Sequence, residues 1–175
     1  MKRPVRSIEA GRKGRPARKR IGWREWVGLP ELGIPEIKAK IDTGARTSTL
    51  HAYRITPFEK DGRAFVRFLV HPVQRRRLPE IECVAPLAGR RAIRDSGGKT
   101  EHRYIVLTRL RVGDDMSEIE LTLTNRDQMS FRMLVGRAAI RGRFDVDPGR
   151  SFRTGRLAAR AGQALNTGRS RSRGP

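Results

Sequence analysis

The stretch Ile-Pro-Glu-Ile-Lys-Ala-Lys-Ile-Asp-Thr-Gly-Ala, residues 34–45, constrains the fold most. Ile37, Ala39 and Ile41 alternate with polar residues, the period of a strand with one buried face. Such a strand needs neighbours, and Asp42 stands at its tip. Thr43 can tie the following loop through its hydroxyl, and Gly44 permits backbone angles that a side chain would block. The chain therefore predicts a sheet that ends in a tight loop carrying one carboxylate.

Most of the remaining apolar residues carry the same period. Val27–Leu29, a turn at Pro30–Gly33 and the strand ending at Asp42 read as a hairpin. Further strands are expected at Ala64–Val70 after an Asp61-Gly62 turn, at Ile81–Ala85, at Tyr104–Leu107 and at Leu110–Val112. Gly113-Asp114-Asp115 is a turn, and Ile119–Thr124 alternates again. Phe131–Val135 is an apolar strand running into Gly136-Arg137, with Gly136 to Gly142 long enough for a short helix. Asp145 and Asp147, ahead of Pro148-Gly149, read as turn or capping residues. Many short strands with Gly/Asp turns predict a small all-β barrel or sandwich.

Charge is concentrated at the ends. Of a net +21, residues 1–20 hold nine Lys/Arg and one acid (+8), and residues 154–175 hold five Arg and no acid (+5), leaving +8 for 21–153. The ends are poor in apolar residues, so they are expected to be disordered basic tails flanking one domain at 21–153. Tails of this charge would make weak contacts with nucleic acid or ribosomes. Cys83 is the single cysteine, which excludes an internal disulfide and suits a reducing compartment. No apolar run approaches the ~20 residues of a membrane span, so a cytoplasmic location without membrane contact is expected.

Asp42-Thr43-Gly44-Ala45 and the later Leu134-Val135-Gly136-Arg137 together resemble the retropepsin-like aspartic peptidases. The likeness extends over about residues 21–152, through Ile21–Pro30, Lys40–Ala52, Glu120–Arg126, Phe131–Arg143 and Val146–Pro148. It is similar above all to a bacterial branch labelled ATP-dependent zinc protease, associated with ATP-dependent ligases that add glutamate to ribosomal protein. The resemblance implies a small closed all-β barrel of retropepsin type with one short helix after the Gly-Arg motif. It also implies catalysis by Asp42 with Thr43 and Gly44, and structural support from Gly136 and Arg137. Gly97 and Gly98 would form a flap tip, and Ala45 and Arg46 would line the substrate site.

Hydrolysis by carboxylates needs two of them, one to take a proton from water and one to give a proton to the carbonyl oxygen. The chain has one Asp-Thr-Gly, so Asp42 is expected to work beside Asp42 of a second copy in a homodimer. Ala45 lacks the hydroxyl that serine could offer the carboxylate. The resemblance would place an acid at position 46, paired with Arg137. Arg46 stands there instead, so Arg137 is expected to pair with Asp145, Asp147 or Glu120. Arg46 is then available to an acidic peptide such as a glutamate-rich tail.

No His-Glu-x-x-His, phosphate-binding Gly-x-x-x-x-Gly-Lys-Ser/Thr or Gly-x-Ser-x-Gly sequence occurs, and His51, His71 and His102 are scattered. The expectation is an endopeptidase with no metal and no cofactor. The alternatives are a non-catalytic basic RNA- or ribosome-associated module of the same fold, or a zinc-dependent protease.

Overall fold

The computed structural model describes residues 17–94, 97, 98, 100–125 and 130–157. Eleven strands and one helical turn follow in order: β1 (Lys19–Gly22), β2 (Arg24–Leu29), β3 (Ile34–Asp42), β4 (Ser48–His51), β5 (Tyr53–Lys60), β6 (Arg63–Val70), β7 (Ile81–Arg94), β8 (Thr100–Val112), β9 (Asp115–Thr124), β10 (Met133–Gly136), α1 (Arg137–Ile140) and β11 (Phe144–Asp147). The β2–β3 hairpin forms as expected. A single 3-10 turn at Pro30–Leu32 joins its strands, and Gly33 closes it at φ 67° with its N–H on the Pro30 carbonyl.

Strands run in the order β2-β3-β10-β4-β9-β8, and β8 pairs back onto β2 through Val27↔Val112 and Gly28↔Arg111. This makes a ring of strands close to a barrel, the all-β architecture that the resemblance implies. Beyond the ring the sheet continues from β8 through β7 and β6 to β5. Tyr104–Leu107 and Leu110–Val112, read as two strands, are one: Thr108 and Arg109 pair in register with Ile119 and Glu118, so the ladder continues through them. Ile37, Ala39 and Ile41 point into the core, where they meet Leu50, Val106, Leu121, Leu123, Met133 and Val135.

The topology around β10 sets the site. β3 and β4 are consecutive in the chain, yet β10 lies between them, parallel to β3 and antiparallel to β4. The loop from Asp42 to Thr47 must therefore cross the end of β10. At the crossing stands Gly136, where a Cβ would lie 2.5 Å from the Thr47 carbonyl carbon and 2.7 Å from the Arg46 and Thr47 carbonyl oxygens. Only a residue without a side chain fits under the loop.

The first and last strands of the described stretch, β1 and β11, form a separate parallel ribbon. Asp145 and Asp147 thus belong to a strand. Asp145 pairs with Arg18, while Asp147 accepts the Gly149 N–H at 3.0 Å and lies 3.8 Å from Arg153. A clasp absent from the sequence reading holds this end. Glu25 is fully buried, and its carboxylate accepts the N–H groups of Gly22, Arg153 and Thr154 and the Thr154 hydroxyl. Glu36 accepts the Leu157 N–H, and Leu157 is buried. The placed structure therefore reaches a few residues past 21–153 at both ends, and the rest of both tails lies outside the described residues. Trp23 meets Phe131 edge-on and Trp26 stacks on Phe152, so both tryptophans anchor the ribbon to β2 and its surroundings.

Two predictions follow from the packing. Glu25→Ala leaves three backbone N–H groups without an acceptor and should cost about 3–5 kcal/mol. A fall in thermal midpoint, with increased proteolysis after residue 150, is the expected readout; an unchanged midpoint would contradict the clasp. Cys83 is buried with its thiol on the Leu32 carbonyl, and burial first, then Glu82, pushes it up to about 12 from an ordinary 9. The folded state holds this proton more tightly than the unfolded chain. The thiol's contribution is therefore complete below pH 9 and is lost as pH rises towards 12. A disulfide reagent at pH 8 should label Cys83 only after denaturant is added.

Candidate active site

Asp42 ends β3, where the strand's alternation carries it out of the core to a half-buried position. Its Oδ1 accepts two backbone bonds from its own loop, Gly44 N–H and Ala45 N–H, each at 3.1 Å. Oδ2 makes no hydrogen bond among the described residues. The turn thus pins one carboxylate oxygen and leaves the other open.

Three contacts hold the loop to β10 and α1. Arg137 N–H donates to the Ala45 carbonyl at 2.8 Å and Ala138 N–H to the Arg46 carbonyl at 3.0 Å. The Arg137 guanidinium donates to the Gly44 carbonyl at 3.1 Å. This corrects the expected ion pair: Asp145 and Asp147 are engaged at the ribbon, and Glu120 takes a bidentate bond from Arg91 at 3.1 and 3.3 Å. With no acid at 46, Arg137 binds the loop's backbone directly. Beneath the loop, Ser48 Oγ accepts the Gly136 N–H, and Thr122 Oγ donates to the Ser48 carbonyl and meets Thr49 Oγ at 3.0 Å. Thr43 does not tie the loop as expected. It is exposed, and its hydroxyl has no partner among the described residues.

The β7–β8 hairpin covers this loop. Its strands pair up to Arg94↔Thr100, and Gly97 and Gly98 lie at its tip. Gly98 takes φ 84°, a left-handed value, and its carbonyl accepts from Arg94. Between hairpin and loop opens a cleft of about 730 Å³. Asp42 and residues 44–47 line one side and residues 91–94 of β7 line the other, with Arg103 and Thr122 at the base. The structure thus brings Asp42, Gly44, Ala45 and Arg46 into one cleft, with the Gly97–Gly98 tip on the hairpin above them.

Sequence reasoning named Arg46 but missed the other three arginines of the cleft, Arg91, Arg94 and Arg103. Arg103 is buried and bonds Glu101 at 2.8 Å, and Glu101 also accepts from Thr124. Arg91 and Arg94 are on the hairpin strand, where a period-2 reading of residues 90–94 could have set them on faces. The cleft therefore combines one carboxylate with four arginines.

The zinc in the label of the resembling branch would need a ligand set. Among the described residues, no three His, Cys, Asp or Glu side chains gather to hold a metal. His71 stacks on Tyr53, and the Cys83 thiol is turned to a backbone carbonyl. These residues do not fit a zinc centre. No helix among the described residues is long and apolar enough to cross a membrane.

Comparison with known proteins agrees with this geometry. A Legionella pneumophila crystal structure of a protein of unknown function superposes with a TM-score of 0.67 at 30% identity, covering 79% of this chain and 99% of that one. Two proteins named probable alpha-L-glutamate ligase, from Shewanella pealeana and Parasynechococcus marenigrum, are 46% and 47% identical over 132 and 137 residues. Those matches cover 75% and 78% of this chain but 29% of each ligase, so the chain spans less than a third of the curated relatives' length. Residues 20–156 match the model of the RimB-like family, described as retropepsin-like aspartic endopeptidase RimB. The chain belongs to this RimB-like, retropepsin-like family.

Proposed function

We propose that this chain is an aspartic endopeptidase that works as a homodimer, with Asp42 of each copy forming one shared dyad. The observation that carries the reading is a lone carboxylate with one pinned and one open oxygen, set in a cleft beneath a hairpin. Two carboxylates side by side cannot both ionise easily, so the pair shares a proton. The ionised member takes a proton from water while the water oxygen bonds to the amide carbonyl carbon. The protonated member gives its proton to the carbonyl oxygen, forming a tetrahedral diol. The diol then returns one proton to the dyad and the amide nitrogen takes another from it. The C–N bond breaks, an acid and an amine leave, and the dyad regains its single proton. Gly44 and Ala45 hold the carboxylate, Gly136 and Arg137 hold the loop, and the Gly97–Gly98 tip folds over the substrate.

The substrate proposed is an acidic peptide, such as a glutamate-rich tail. Support comes from Arg46 and Arg94, cleft arginines with no carboxylate partner among the described residues, whereas Arg91 and Arg103 are held by Glu120 and Glu101. The ligase name of the relatives is in keeping with glutamate chemistry nearby. That name belongs to proteins of which this chain matches 29% of the length.

Asp42→Asn should lower cleavage of glutamate-rich peptides about a thousandfold or more, leaving the thermal midpoint and the dimer dissociation constant near those of the parent. Activity that survives this change would end the dyad reading; a protein inactive in both forms that still binds RNA through its basic surface would favour a non-catalytic module. Arg46→Asp should abolish the preference for acidic over neutral peptides, seen as a fall of about tenfold or more in the kcat/KM ratio. A preference unchanged by the substitution would rule out Arg46 as its source.

A further inference from the structure

Beside the cleft lies a second hollow of about 490 Å³, walled by Arg46, Arg137, Arg141 and Ala138. No carboxylate lines it. Among the described residues, eight arginines elsewhere in the domain meet an acid: Arg18, Arg67, Arg91, Arg103, Arg109, Arg143, Arg153 and Arg156 each lie within ion-pair distance of an Asp or Glu. Arg46, Arg137 and Arg141 have no such partner among the described residues. Two features fix the hollow's shape. Arg137 is held by its bond to the Gly44 carbonyl, and Arg141 N–H closes the helical turn on the Arg137 carbonyl at 2.8 Å. Three arginines line one open space with no acid in its own lining, and Glu118 and Glu120 lie in the neighbouring hollow that shares Arg46.

We infer that this hollow binds an oxyanion, a phosphate or a carboxylate, and that its filling permits two copies to associate. The second half rests on the dyad reading. If Asp42 meets Asp42 across a two-fold axis, Arg46, four residues on, approaches its own counterpart, and Arg137 and Arg141 follow because the loop is bonded to them. Six like charges then gather near one seam, each pair repelling in the partly desolvated contact. An anion in each hollow turns this repulsion into bridging, since guanidinium groups take phosphate or carboxylate bidentately. A glutamate-rich substrate could fill the same site and so assemble the enzyme that cleaves it.

The test is sedimentation of the full chain at constant ionic strength in sodium chloride, with inorganic phosphate or pentaglutamate replacing part of the chloride. Phosphate at 10 mM should tighten the dimer about tenfold or more, beyond anything screening alone produces. Response to both anions assigns a general oxyanion site, and response to pentaglutamate alone assigns the substrate's carboxylates. Arg141→Glu, exposed and outside the cleft, supplies the missing negative charge itself. It should dimerise in chloride alone and lose its anion response, and Arg141→Ala should lose most of that response as well. A dimer equally tight in every buffer, or an Arg141→Glu protein that still responds as the parent does, overturns the inference and leaves the dyad intact. A protein that stays monomeric in all buffers at about 100 μM overturns both.

Discussion

The passage of the Asp42–Thr47 loop over the end of β10 is the constraint on which the rest of the site depends. Two strands consecutive in sequence are kept apart by a third that arrives ninety residues later, so the loop joining them has to bridge it. Gly136 makes the crossing sterically feasible. The amides of Arg137 and Ala138, immediately after it, then bind the loop that has been let through. The same close approach that forbids a side chain at 136 thus brings the chain's next donors within reach of loop carbonyls. Fold and carboxylate placement are one geometric event, which is why Asp42 is held by backbone and not by a neighbouring side chain.

Electrostatics in the domain separates into two kinds. At the surface, Arg and acid pairs such as Arg67–Glu82 and Arg109–Glu31 are exposed and contribute little to stability. Inside, Glu25 is buried with backbone donors around it, and Arg103 is buried against Glu101. Buried groups like these fix position, because moving either would strand donors or a charge away from water. Pairing thus absorbs part of the excess of arginine, and Arg46, Arg137 and Arg141 beside the cleft are among those without an acid partner among the described residues.

The strands and the loop were legible because both rest on local rules. Alternation at 37–41 and 119–124 gave strands, Gly33 gave a turn, and Asp-Thr-Gly followed by Gly136-Arg137 gave the family. What escaped the sequence was decided by distant contacts. Arg137's partner could not be read because the choice between a carboxylate and the Gly44 carbonyl depends on where the loop lies. Asp145 looked like a turn residue because its strand pairs with one over a hundred residues away. Glu25 sits in an ordinary-looking β2 pattern, and only the return of residues 153 and 154 makes it a buried acceptor. Arg91, Arg94 and Arg103 belong to strands whose facing is set by the β7–β8 register, with its irregularity between Leu87 and Gly89.

The ring itself is unevenly sewn. β8 and β9 share eight consecutive register pairs, whereas β8–β2 and β10–β4 meet at two each. The β10–β4 joint is further tied by His51 N–H on the Arg132 carbonyl and Gly136 N–H on Ser48 Oγ. Thermal breathing concentrates where the fewest ladder bonds must break, so the cylinder has a slit along Gly28 and Arg111 that parts before any other joint. β3 on one side and β9 and β4 on the other stand between that slit and β10. The domain can therefore flex like a split collar while the knot beneath the carboxylate stays tied.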